Sequence, residues 1–312
     1  MSEQKKFFSS VGYVVLFVFA FLFFVFMSFP YNALKELVVA KISAETGLNI
    51  RIKEFGPALP LGFYAEEVSV SPAEGGASLE FERAKVTLAI FRLFIGEVAA
   101  DIYLGTANDG ELDAQASWRV FSFFSNDMPM PRKIWLEADK FDLSNSANFL
   151  LKVYAKQAND LIKGVFAQMS LKGLLDGDMT LVMSAADPVQ SSGEVNLQIN
   201  NGVLDLNDPN LNIPPQNFSK ALIRANLRGG RLVLDNDSGL VAEELAIGIR
   251  GSTSLRHPFD RSLLDIDISL QLQGSLQDNF GFLLSMMGGG GSEETASYKL
   301  SGTMGRPAFN PL

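Results

Sequence analysis

Cysteine is absent from the 312 residues, which excludes disulfides, thiol catalysis and every zinc or iron–sulfur site that needs a thiolate. Histidine occurs once, at His257, so a His-rich metal centre cannot be assembled. His257 precedes Pro258 in a stretch bounded by Gly, Ser and Pro, the setting of a turn residue rather than of a positioned base. An excess of positive charge is missing too. The formal net charge is −9 and no Lys/Arg stripe stands out, so a phosphate backbone is repelled and nucleic acid is not an expected partner. Hydrophobic residues make up 47% and charged ones 20%, a balance that excludes a disordered chain.

Motifs of chemistry are equally scarce. Neither H-E-x-x-H nor G-x-S-x-G occurs, and the glycine run at 288–291 has no feeding strand and no following Lys-Ser/Thr to make a phosphate cradle. Asp265 and Asp267 point to one side of a strand, but that side is the wet one of an amphipathic pattern, so they read as solvated surface. Asp205, Asn207, Asp208 and Asn210 offer oxygens yet lack the EF-hand glycine and terminal glutamate, and a polar turn around Pro209 explains them. Trp118 and Trp135 read as core or membrane-proximal aromatics. We therefore assign no catalytic, cofactor-binding or metal-ligating residue, and expect no cofactor and no enzymatic activity.

What the sequence does contain is a long apolar run. No charge occurs between Lys6 and Lys35, and residues 11–29 are almost wholly apolar. As a helix this run spans about 28 Å, close to the hydrocarbon thickness of a bilayer. A cleaved signal peptide is shorter in its apolar part and ends in a small-x-small site, whereas this run passes through Met27, Phe29 and Pro30. An uncleaved anchor is the expectation, with Val11, Leu16, Phe19, Leu22, Phe26 and Phe29 facing lipid. Lys5, Lys6 and the α-amine favour a cytoplasmic N-terminus, a bias weakened by Lys35 and Lys41 on the other side. The chain then divides into a cytoplasmic tail (1–10), a transmembrane helix (11–29), a juxtamembrane amphipathic helix (30–47) and a β-rich domain (48–312). In the second helix Leu34, Leu37, Val38 and Ile42 recur at helical spacing, started by Pro30 and stopped by Gly47.

From Leu48 the period becomes two. Leu48, Ile50 and Ile52 alternate with polar residues, and Val68 and Val70 resume after a Pro/Gly-punctuated stretch. The parity slips within 79–90, which predicts a bulge or break near Glu82 and Arg83. Weaker strands at 97–104 and 111–118 flank the turn Asn108-Asp109-Gly110, and a helix is predicted over 144–166 on the stripe Leu150, Val153, Tyr154, Leu161, Ile162, Val165. The clearest strands carry Met179, Leu181 and Met183, then Val195, Leu197 and Ile199, then Leu264, Ile266, Ile268, Leu270 and Leu272; Gly229-Gly230 marks a hairpin. A brief helix is expected near 279–287. Such alternation gives one dry and one wet face, as in antiparallel sheet. The dry faces need a second layer, a helix or a lipid-like ligand. Val195, Leu197, Ile199 and the five residues 264, 266, 268, 270 and 272 are the candidate lining of an apolar groove.

Four stretches resemble the type II secretion system protein N (GspN) family, in its longer form with an uncleaved anchor. They are the anchor running into Phe29-Pro30-Tyr31-Asn32-Ala33-Leu34; Glu45-Thr46-Gly47 before an alternating strand; Pro57-Ala58-Leu59-Pro60-Leu61-Gly62-Phe63; and the terminal apolar segment and glycines leading to Tyr298-Lys299-Leu300-Ser301-Gly302-Thr303-Met304-Gly305-Arg306-Pro307. The same layout is similar to the AsmA-like superfamily, although the chain is much shorter than members that bridge two membranes. The resemblance implies a mainly β fold with a few helices: a transmembrane helix followed by a curved antiparallel sheet, groove or sandwich, packed with one or two helices. It implies a non-enzymatic accessory of type II protein secretion, anchored in the bacterial inner membrane with its bulk in the periplasm, whose partners are the bilayer and other secretion components. The alternative it implies is a lipid-binding or lipid-transport module with a phospholipid ligand.

Overall fold

A computed structural model describes residues 13, 16–17, 20–21, 24–25, 28–59, 61–72, 78–93, 95–120, 131–155, 169–184, 188–206, 213–256, 258–286 and 295–312. Of the expected anchor, Val11, Phe19, Leu22 and Phe26 lie outside these residues, as does His257. Leu16 and Phe29 lie within them and are exposed, together with Tyr13, Phe17, Phe21 and Phe24. Among the described residues no helix is long and apolar enough to cross a membrane.

Helix α1 (Tyr31–Thr46) begins after Pro30 and ends at Gly47, whose left-handed φ of 67° lets its N–H reach Ser43 O. Tyr31, Leu34, Val38 and Val39 are half-buried, whereas Leu37 and Ile42 of the expected stripe are exposed. The helix thus carries apolar side chains on its outer side as well as toward the sheet.

The remainder is mainly β. The strands are β1 (Leu48–Ala58), β2 (Gly62–Pro72), β3 (Leu79–Leu88), β4 (Glu97–Gly105), β5 (Glu111–Arg119), β6 (Lys133–Asp142), β7 (Met169–Val182) and β8 (Ser192–Leu206). They continue with β9 (Gln216–Arg228), β10 (Arg231–Leu234), β11 (Gly239–Ala242), β12 (Leu245–Ser254), β13 (Leu263–Leu272), β14 (Thr295–Thr303) and β15 (Arg306–Pro311). All join one antiparallel sheet in sequence order, a plain meander whose outermost strands are β1 and β15. Strands β10 and β11 are two halves of one position, since both pair with β9 and with β12. Buried Ser238 mends the gap between them: its hydroxyl accepts from Arg224 N–H and donates to Arg224 O, both at 3.0 Å. At Gly229-Gly230 both φ values are positive (61° and 73°), the demand of a two-residue hairpin that glycine meets without strain.

The expected parity slip near Glu82 and Arg83 is present, but three strands share it. Lys53-Glu54, Glu66-Glu67 and Glu82-Arg83 are adjacent exposed pairs on neighbouring strands, and Glu67 takes a left-handed φ of 48°. The β1–β2 and β2–β3 registers continue through it unshifted. Two successive outward residues reset the alternation, so Ile52, Val68 and Phe81 on one side of the row and Phe55, Ala65 and Ala84 on the other all turn inward. The ion pair Lys53–Glu67 holds the row. Further irregularities fall at Lys140 (φ 46°) in β6 and Asn201 (φ 50°) in β8. Asp176 ties the two, accepting from Lys140 N–H at 2.9 Å and from Asn200 Nδ2 at 2.6 Å.

The α-helices described after α1 are short. Helix α2 (Ile90–Leu93) links β3 to β4. Helix α3 (Leu143–Ala155) packs on β7 and β3; the rest of its expected span, with Leu161, Ile162 and Val165, lies outside the described residues. Helix α4 (Gly274–Met286) starts five residues earlier than the expected 279, because Glu244 caps it from another turn: its carboxylate accepts from Ser275 N–H at 3.0 Å and Ser275 Oγ at 2.7 Å. Strands β1 and β15 do not pair with each other, so the sheet is not closed into a barrel.

Candidate functional site

Cross-strand register assigns every strand residue to a face, because directly paired residues point the same way. One row can be followed across the whole sheet: Pro57, Phe63, Val86, Ile102, Ala114, Leu136, Met179, Val195, Ala225, Leu234, Gly251, Ile266, Leu300 and Phe309. Each is paired with the next, and none carries a polar side chain. At about 4.8 Å per strand the row is roughly 60 Å long. The neighbouring row on the opposite face reads Gly62, Thr87, Asp101, Gln115, Trp135, Thr180, Glu194, Asn226, Val233, Ser252, Asp265, Ser301 and Ala308. The sheet is apolar on one side and largely polar on the other over its full width.

All eight candidate lining residues stand on the apolar side. Leu197 pairs with Ile223 and Ile199 with Ala221, while Ile268 pairs with Ile249, Leu270 with Ile247, Leu272 with Leu245 and Leu264 with Thr253. Val195 is buried, and the other seven are half-buried. The sequence patterns had not joined the two groups; β9 to β12 now do so. The candidate lining also left out β1 to β6, where β4 and β5 carry Ala100, Ala114 and Ala116 in place of large aliphatics. The alternation was present there, but its signal is weak when alanine holds the inward positions.

Cover over this face is partial. Helix α1 lies at the β1 end, α3 over β7 and β3, and α4 at the β13–β14 end. Between them Ile223, Val86 and Leu88 remain 44%, 42% and 40% exposed. Among the described residues all strands belong to one hydrogen-bonded sheet. At the β1 end an aromatic series leads off the sheet: Phe55 stacks on Phe63 at 5.6 Å, Phe63 meets Tyr31 edge-on at 6.1 Å, and Tyr31 meets Phe29 at 5.4 Å. The apolar face thus runs without a polar break into the segment that precedes α1.

The polar face is held by its own ion pairs. Lys299 Nζ lies 2.8 Å from Asp265 and 3.4 Å from Asp267. The hydrogen bond and charge of Lys299 hold the Asp265 carboxyl below its ordinary range, and Asp265 in turn raises Lys299. These carboxylates are neutralised by a strand neighbour rather than aimed at a cleft. Trp135 stands on this polar side and Trp118 on the apolar side. Asn207, Asp208 and Asn210 lie outside the described residues, and among the described ones no cluster of three or more His, Asp or Glu could hold a metal. Compared with protein-family models, with curated proteins and with solved structures, the chain matches none.

Proposed function

We propose that the chain is a membrane-anchored lipid-binding module, with the open sheet acting as an AsmA-like curved groove for acyl chains. The observation that carries this reading is the unbroken fourteen-residue apolar row, flanked by the exposed aliphatics Leu88 and Ile223. An apolar face that leaves Val86, Leu88 and Ile223 uncovered favours an occupant there. Burying acyl methylenes on it contributes about 0.8 kcal/mol each. An extended peptide is a poorer occupant, because a sheet face offers no partner for its backbone N–H and C=O groups, and each left unpaired costs about 1–3 kcal/mol. Bends in the strands support curvature: Gly251 (φ 123°) is placed where a Cβ would lie 2.2 Å from Asp265 O, so the sheet closes tightly against it. In this reading residues 11–29 span the bacterial inner membrane with the N-terminus cytoplasmic, the sheet is periplasmic, and the aromatic series Phe29–Tyr31–Phe63–Phe55 connects bilayer and groove. Native mass spectrometry of the full chain released gently from membranes tests it. Retained phospholipid is expected; a lipid-free chain that takes up none on titration rejects it.

A second reading, compatible with the first, is favoured by the stretches that resemble the type II secretion protein N family: an accessory, non-enzymatic component of that machinery. The terminal motif forms the hairpin β14–β15, with Gly302 at φ 88° and the turn at Met304-Gly305. Affinity isolation of the tagged chain should recover secretion components. Recovery of none, with secretion unchanged on deletion, rejects this reading.

A further inference from the structure

Tyr298 stands on the apolar face of β14, paired with Ile268 on one side and Pro311 on the other. Its ring stacks on Phe309 with centroids 4.9 Å apart. Only 4% of the residue is exposed. Its hydroxyl is fully withdrawn from solvent and has no hydrogen-bond partner, the one buried side-chain polar atom in that state among the described residues. Such an orphan costs about 1–3 kcal/mol. Phenylalanine would fill the same space without that cost, so packing alone does not account for a tyrosine.

The setting limits what could satisfy it. Its cross-strand neighbours are apolar, and the nearest cation along the strand, Lys299, points to the opposite face, where Asp265 and Asp267 hold it. A bare phosphate would lack a counter-charge here. Burial raises the Tyr298 pKa above its ordinary value, which keeps the hydroxyl a proton donor. A donor in an apolar trough calls for a neutral acceptor attached to a hydrocarbon. We propose that Tyr298 Oη, once the packing over it opens to admit a ligand, donates a hydrogen bond to the ester carbonyl oxygen of an acyl lipid, fixing the head of a chain that lies along the row toward Ile268 and Ile249. Helix α4, pinned at its start by Glu244 and packed on β13 and β14, closes over this end. The inference rests on the lipid-binding reading above and adds the position and chemistry of one polar contact.

The test compares a phospholipid carrying ester-linked chains with its ether-linked analogue, which lacks the carbonyl, titrated into the full chain in detergent. The wild type should bind the ester form up to tenfold more tightly, the yield of one good hydrogen bond of about 1.4 kcal/mol. Tyr298→Phe should bind both forms with the affinity of the ether lipid, and should unfold at an equal or higher temperature. An ester preference that survives Tyr298→Phe, or none in the wild type, overturns the inference while leaving lipid binding intact. Failure of the wild type to bind either lipid overturns the lipid-binding reading itself and this contact with it. Infrared spectra of a ¹³C-labelled ester bound to the wild type give a second readout that needs no variant. A carbonyl band lowered by hydrogen bonding is expected, and a band at its apolar-solvent position contradicts the assignment.

Discussion

Ile223 and Leu227 offer a paired perturbation on one strand. Both point to the apolar face of β9, four residues apart, yet Ile223 is 44% exposed and Leu227 only 1%. Truncating Leu227 to alanine empties a packed site, so a loss of about 2–5 kcal/mol is expected. Ile223→Ala removes three carbons, worth about 2.4 kcal/mol if fully covered. Only a little over half of that side chain is covered, and an open site leaves no cavity, so the expected cost is about 1.3 kcal/mol. An acyl chain on the face covers the exposed part, and the Ile223→Ala cost should then approach about 2.4 kcal/mol while the Leu227→Ala cost stays fixed. The assay is urea unfolding of a chain starting at Tyr31, freed of lipid by refolding from urea, then repeated with added phospholipid and followed by tryptophan fluorescence. A lipid-free Ile223→Ala as costly as Leu227→Ala would refute the reasoning, since it would mean that protein already seals this face.

Other regions make independent expectations. Leu312 N–H donates to Ser297 O, which turns the even-numbered residues of β15 toward β14 and Pro307, Phe309 and Pro311 toward the free edge. Two of those three positions are proline and offer no N–H, so Pro307→Thr with Pro311→Thr should promote self-association visible by sedimentation; an unchanged mass contradicts the edge-blocking role. Ser238→Ala removes both bonds that mend the β10–β11 gap and should cost about 1–2 kcal/mol in urea unfolding; a neutral substitution contradicts the mending role. The bonds from Ser275 hold the Glu244 carboxyl below its usual 4.5. A depressed carboxylate stabilises above its ordinary value and ceases to do so as pH falls through the folded one. Hydrogen exchange at the start of α4 should therefore accelerate on acidification relative to other helix ends, and Glu244→Gln should abolish that pH dependence.

Much of this fold was legible in the sequence because a strand's two faces print directly as alternation. The strands carrying Val195 to Ile199 and Leu264 to Leu272 were readable for that reason, as were the glycine hairpin at 229–230 and the stop at Gly47. Pairing was not legible, since alternation assigns a face within each strand and leaves the neighbour open. The rows through Ala100, Ala114 and Ala116 were hidden by small side chains, and the break at Glu82 gave no sign that Lys53 and Glu66 shared it. The start of α4 was missed because its cap, Glu244, comes from thirty residues away in sequence. Tyr298 was visible only as part of a motif. Its significance depends on what surrounds the hydroxyl, which only packing decides.

The central claim is that the apolar side of the sheet carries acyl chains. Photo-crosslinking in living cells tests it most directly, with benzoylphenylalanine placed at Leu197 or Ile266 on that side, and at Asn196 or Asp267 on the other. Lipid adducts at Leu197 and Ile266, with none at Asn196 and Asp267, are the expected result. Adducts to protein at the apolar positions, or lipid captured equally from both faces, would contradict it.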